Sequence, residues 1–443
     1  VSSTPVPLPA ADRVLRTGAG STIQARIAPW AYAVSLAWWA SSWNLRNSVL
    51  MVWSPVEPVW IGTAAVALCV VHRLGQPLRI HPAVTGPLLL LVVGFLPGAL
   101  MSSGDGYGPT KLATMAFVLL PVLCAAILLL DSALTRWAWA WAQAIFGAAV
   151  AVGALELNDP TRILQPGRFT LAMVDTISSS RLVGATVVVL LVVALGSRRR
   201  WWWALPLAAG FGMVQVHIGS RGPLIAVVLT LAVVVLTGRC FAGRRALLVV
   251  FGAAVAVAAY LYARLAGGAG GARIVESVQS GLADSLRTDL LSDAIHLGAI
   301  SPAGIGWGDF ALRSDIGGQV ANDAGVAYAH NIFAETFSEG GLLAVLAFGL
   351  LAVLALLRLQ RVTTDPREAV VFATVVYWLV NAQTSSDIVG NRFMWIALAC
   401  GLASYADGVL LRGARTGESG GGRKPLGFRH KPRPSGNDDP GGA

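Results

Sequence analysis

Long apolar runs separated by short polar punctuation recur along almost the whole chain. A helix that crosses hydrocarbon needs about 20 largely apolar residues, fewer where flanking side chains snorkel. On that criterion the pattern predicts about twelve helices. They lie near 28–43, 56–72, 82–102, 110–130, 136–156, 181–196, 201–217, 222–237, 246–262, 338–357, 368–384 and 392–411. The predicted fold class is all-α, a polytopic membrane protein.

The polar punctuation carries a sign. With the N-terminus inside, alternate loops collect Arg73, Arg79, Arg198, Arg199, Arg200, Arg239, Arg244, Arg245, Arg358, Arg361 and Arg367. Together with both termini and Arg136, the inner side then holds about two-thirds of all Lys and Arg, as the positive-inside rule requires. Most Asp and Glu fall on the outer side. Two outer segments are long, about 157–180 and about 263–337. The second opens on the flexible Gly267-Gly268-Ala269-Gly270-Gly271. It continues with apolar residues at 3–4 spacing from Ile274 to Ile295, which predicts an amphipathic helix at the outer membrane surface. The chain thus divides into a cytoplasmic tail (1–27), a transmembrane domain (28–411) and a disordered basic cytoplasmic tail (412–443).

Composition agrees with the pattern. Mean hydropathy is +0.65, with 55% hydrophobic and 13% charged residues, against roughly 25% charged in soluble domains. The first 26 residues are polar and lack the apolar core of a cleavable signal peptide. The net charge of +10 reflects the cytoplasmic rim and gives no reason to expect nucleic acid. The four cysteines fall in apolar spans or on the inner side, so no disulfide framework and no thiolate metal site is expected. No Walker motif, dinucleotide glycine fingerprint or outer Asp-x-Asp pair occurs, so neither a cofactor nor a metal is expected.

Chemistry concentrates at the outer edge. His330 sits where the large loop meets an apolar span, and an imidazole there suits proton transfer near neutral pH. Asn331, Glu335 and Glu339 fall one helical turn apart on one face, where a carboxylate near the imidazole would fix its tautomer. The ordinary reading of Glu339 is a charge favoured by the helix dipole at the start of a helix. Arg221 follows Gly219-Ser220 in a short outer turn, and its ordinary reading is snorkelling to headgroups. Arg287 lies on the amphipathic segment beside Asp284, Asp289 and Asp293, where a salt-bridged solvent face would also explain it. Arg168 and Arg181 flank the other long outer loop, and Asp387, Asn391 and Arg392 form an outer connection before the last helix. Arginines that converge on one outer cavity suit a pyrophosphate ligand, because the guanidinium binds phosphate oxygens bidentately and keeps its charge. His217 and His296 are the rivals of His330.

In order and sidedness these motifs resemble the O-antigen ligase and O-antigen polymerase superfamily. The motifs are Gly219-Ser220-Arg221-Gly222, then Arg287, then Pro302-Ala303-Gly304-Ile305-Gly306-Trp307-Gly308-Asp309-Phe310. Ala329-His330-Asn331 and Glu339-Gly340-Gly341-Leu342 complete the set. The resemblance implies about twelve helices and a metal-independent, inverting glycosyltransferase of the inner (cytoplasmic) membrane, acting on its outer face. Its donor would be an undecaprenyl-pyrophosphate-linked glycan, and its acceptor a hydroxyl on a glycan, lipid such as lipopolysaccharide, or wall polymer. The family's histidine maps onto His330 and its arginines onto Arg221 and Arg287, the latter loosely because Arg273 and Arg313 share the loop. Asn331, Glu335, Glu339, Arg168, Arg181 and Arg392 would line the substrate. Repeat-unit polymerisation is the alternative activity, and transport of a lipid-linked glycan is a reading from another class.

Overall fold

The computed structural model describes residues 19–404 apart from 47, 49, 52–53, 78–81, 157–173, 175, 197–200, 245–260, 262–263, 266–271, 273–274, 277–284 and 323–324. Among the described residues the chain is helical and has no strand. The helices are α1 (Ala19–Leu45), α2 (Pro58–Leu74), α3 (Pro82–Met101), α4 (Gly108–Thr114), α5 (Leu120–Leu129), α6 (Ala133–Glu156), α7 (Thr176–Gly196), α8 (Trp201–Ile218) and α9 (Arg221–Thr237). After them come α10 (Ser285–Ile300), α11 (Phe310–Arg313), α12 (Asp315–Val320), α13 (Ile332–Val362), α14 (Pro366–Asn381) and α15 (Arg392–Ala403). Described helices overlap every predicted span except 246–262, which apart from Leu261 lies outside the described residues. By length and composition five of them can cross a membrane: Pro82–Met101, Gly108–Leu129, Ala133–Leu155, Thr176–Gly196 and Ile332–Val362.

Helix α7 is the hub, with 89% of its apolar window buried against 22% for α3. It packs on α6, α8, α9 and α14. A helix this apolar with no polar stripe has to be enclosed by other helices or by lipid. Helices α4 and α5 form one span through a π-helical turn, Met115–Leu119. The cause is local: Pro121 has no N–H and its ring crowds the carbonyl four residues back, so the ladder widens by one residue.

The two ends of the bundle carry different polar sets. At one end Arg136 reaches Glu368 at 2.9 Å and Arg73 reaches Asp131 at 2.5 Å, joining α2, α5, α6 and α14. At the other end Tyr107 donates to Asp387 at 2.7 Å.

The large loop differs from its sequence reading. Helix α10 buries Leu290, Ala294 and Leu297 in a small core with Ile305, Phe310, Ala327, Ala329 and Ala334, so that face packs on protein instead of lying on the membrane surface. Beyond α10 the glycine-rich stretch 302–308 enters the bundle. Ile305 and Gly306 amides donate to Ser338 and Glu339 carbonyls at 2.8 and 3.1 Å, and Trp307 N–H donates to Gly98 O at 3.2 Å. Trp307 is fully buried, and its indole N–H reaches Phe95 O at 3.0 Å.

This graft meets α13 at a break. Gly341 has φ 86° and ψ −177°, a region open essentially to glycine alone. The Leu342 amide, released from the helical ladder, donates to Pro302 O at 2.8 Å. Backbone polar groups inside a membrane need such internal partners. A Cβ on Gly341 would stand 2.5 Å from both the carbonyl carbon of Ala303 and Pro302 O. We expect Gly341→Ala to destabilise the protein by about 3 kcal/mol or more, read as a lower unfolding midpoint in detergent. Gly86→Ala in α3, where a Cβ meets nothing within 4 Å, should hold or raise it.

Candidate functional site

Helix α13 begins at Asn331, whose side-chain oxygen accepts from the Phe333 and Ala334 amides, both at 3.1 Å. That is an N-cap, so one polar atom of this expected substrate ligand is occupied in starting the helix. His330 precedes it in a left-handed conformation, φ 55°, uncommon for a residue with a Cβ. The Tyr328 ring sits against it at 4.5 Å between centroids, and the Ile332 amide donates to Ala382 O at 3.1 Å. The histidine is thereby held beside the 382–391 connection between α14 and α15.

The same connection receives the arginines. Arg287 Nη1 donates to Thr384 O at 3.2 Å. Arg221 opens α9, and a Cβ on the next residue, Gly222, would stand 2.5 Å from Thr384 Oγ1, so this turn of α9 packs directly on Thr384. The Nε of Arg221 is buried without a hydrogen-bond acceptor among the described residues. Arg181 is buried, donates to the Asn391 side-chain oxygen and lies 5.5 Å from the Trp378 ring. Arg392 stacks over Trp43 at 4.2 Å, a favourable place for a desolvated guanidinium. Asn391 in turn donates to Asp387 O at 2.7 Å. His330, Arg221, Arg287, Arg181 and Arg392 thus each reach, flank or adjoin 382–392. Arg168 lies outside the described residues, as does Arg273.

The rivals sit differently. His217 Nδ1 bonds Met213 O in its own helix at 2.9 Å. His296 and Arg313 are exposed.

Glu335 and Glu339 have a different partner from the imidazole suggested by their spacing. Both are buried, and Lys111 stands between them with Nζ 2.6 Å from Glu335 Oε1 and 2.5 Å from Glu339 Oε2. Glu335 Oε1 also accepts from the Ile388 amide at 3.0 Å, and Glu339 Oε2 from the Gly308 amide at 2.9 Å. Glu339 lies two turns inside α13, so the helix-dipole reading does not apply to it. Charge thus also lies inside the apolar helices, not only in loops and at helix ends. Lys111 was the residue missed. The signal was available: it is a lone lysine in an apolar span of a chain whose only others are Lys424 and Lys431, and an intramembrane cation calls for a partner. One turn earlier Tyr107 donates to Asp387; burial first, then the Asp387 charge, raise its hydroxyl pKa far above the ordinary tyrosine range and keep it a donor.

Residues 209–349 match the family model described as O-Antigen ligase. That segment of the chain is similar to the O-antigen ligase family. The matched O-antigen ligase segment contains Arg221, Arg287, His330, Asn331, Glu335 and Glu339, but neither Lys111 nor the 382–392 connection. No curated protein matches the chain.

The cap and substrate roles of Asn331 separate experimentally. Asn331→Ala should cost about 1 kcal/mol, while Asn331→Asp keeps the cap and the stability, both measured by thermal unfolding in detergent.

Proposed function

We propose that the chain is a glycosyltransferase of the cytoplasmic membrane that moves a glycan from an undecaprenyl-pyrophosphate carrier to an acceptor hydroxyl. In this reading the shorter helices cross the bilayer as well, making about twelve spans, with both termini cytoplasmic and the site at the outer face. The observation that carries it is the gathering of the His330-bearing start of α13, Arg287 and the Arg221 turn of α9 around residues 382–384. Two guanidinium groups and one imidazole are the set such a transfer needs.

The acceptor oxygen attacks the anomeric carbon as the bond from that carbon to the phosphate oxygen breaks. Arg221 and Arg287 stabilise the charge that develops on the departing pyrophosphate. His330 orients the hydroxyl and takes its proton. Attack from the face opposite the leaving group inverts the anomeric centre. Arg181 and Arg392 extend the positive lining toward the rest of the donor, and Arg168, outside the described residues, is expected to contribute to donor binding. The nature of the acceptor separates ligation to a lipid or wall polymer from polymerisation of repeat units.

Transport of the lipid-linked glycan is a second reading, favoured by the discontinuity of α13 at Gly341 and the buried Lys111 group. One experiment separates all three. Purified protein is incubated with an undecaprenyl-pyrophosphate oligosaccharide and candidate acceptors, and products are read by mass spectrometry. Glycan on a new acceptor shows ligation, and donor lengthened by repeat units shows polymerisation. Movement across liposomes of an unaltered donor, with no product, would overturn the transferase reading. We expect His330→Ala and Arg221→Ala to lower transfer by roughly 100-fold or more while the protein stays folded and membrane-inserted.

A further inference from the structure

Three segments that share no helix have to keep a fixed spacing for this site to exist: the start of α13 with His330, the 382–392 connection, and the glycine-rich stretch 302–308. Lys111, from a fourth segment, is the group to which all three are tied. Its Nζ holds Glu335 and Glu339 of α13 at 2.6 and 2.5 Å. Through Glu335 it reaches the Ile388 amide, and through Glu339 the Gly308 amide. Tyr107, one turn before Lys111, anchors the same connection at Asp387. The start of α13 and the connection also meet directly through Ile332 N–H and Ala382 O, but that is one backbone bond beside the histidine.

Resting on the glycosyltransferase reading, we propose that Lys111 is a positioning residue for the transfer reaction: it fixes His330 relative to the connection on which the arginines converge. It touches no substrate. Its charge holds two carboxylates side by side that would otherwise repel each other, and each carboxylate carries one backbone segment into register. A group of this kind acts on the geometry of the reacting atoms more than on capture of the donor, because small displacements there are costly in rate.

The test uses the full chain in detergent or nanodisc. Lys111→Met is compared with wild type for kcat and for donor KM, and by hydrogen exchange of the segments 328–336 and 384–391. The expected result is a fall in kcat of at least roughly tenfold with donor KM within about twofold. Exchange should rise in both segments while α6 and α7 stay protected. Lys111→Met leaves two carboxylates facing each other, so the double variant Lys111→Met/Glu339→Gln is made alongside. It restores the net charge of the cluster, keeps Glu335, and should fold while showing the same kinetic loss. Unchanged kcat in a folded variant, a loss confined to KM, or unchanged exchange in the two segments would overturn the proposal. If wild type itself transfers no glycan, the functional reading fails, and the exchange result alone decides whether Lys111 sets this frame.

Discussion

One end of this bundle depends on one ammonium group placed between two carboxylates, on helices long and apolar enough to cross a membrane. Lys111, Glu335 and Glu339 are each almost wholly buried, where an isolated charge would be prohibitive. Two carboxylates against one lysine leave no spare cation, so the arrangement tolerates little displacement. Removing one partner of a buried ion pair typically costs about 3–5 kcal/mol, much more than an exposed pair is worth. Each carboxylate also accepts a backbone amide from another segment, so the ionic contact organises chain that has no helical ladder of its own.

Around that group, function follows from where helices start. Helices α9, α13 and α15 begin with or just after Arg221, His330 and Arg392. A helix start is a rigid place to mount a side chain and leaves backbone amides pointing outward. The arginines are assembled on a short connection, and Asp387 and Asn391 bind that connection to its neighbours, which keeps several cations close without a loop free to spread under their repulsion.

The fold was largely legible because its signals are long and redundant. Apolar runs located the long described helices, since each such run must be buried in protein or lipid. The site was legible only in part. Arg221, His330 and Arg287 could be picked out because outer-edge charges beside apolar spans are few. The partner of Glu335 and Glu339 could not be read from spacing, since Lys111 lies more than two hundred residues away. Helical periodicity correctly put the two carboxylates on one face, yet it says nothing about what that face meets. The seating of 302–308 could not be read from sequence either: glycine reports only a permissive backbone, and its hydrogen bonds to Ser338 and Glu339 are tertiary and leave no local signature.

The seating of 302–308 at the Gly341 break governs how the long connection before α13 can change. A long excursion pinned at its middle behaves as two shorter ones, with separate closure and separate freedom. The arm before residue 301 carries Arg287, and the arm after 309 leads into Tyr328 and His330. Each arm can lengthen, shorten or be exchanged without dragging the other, provided the seat between them is kept. Either arm is thereby open to remodelling by itself, while the buried anchor beneath both stays the same.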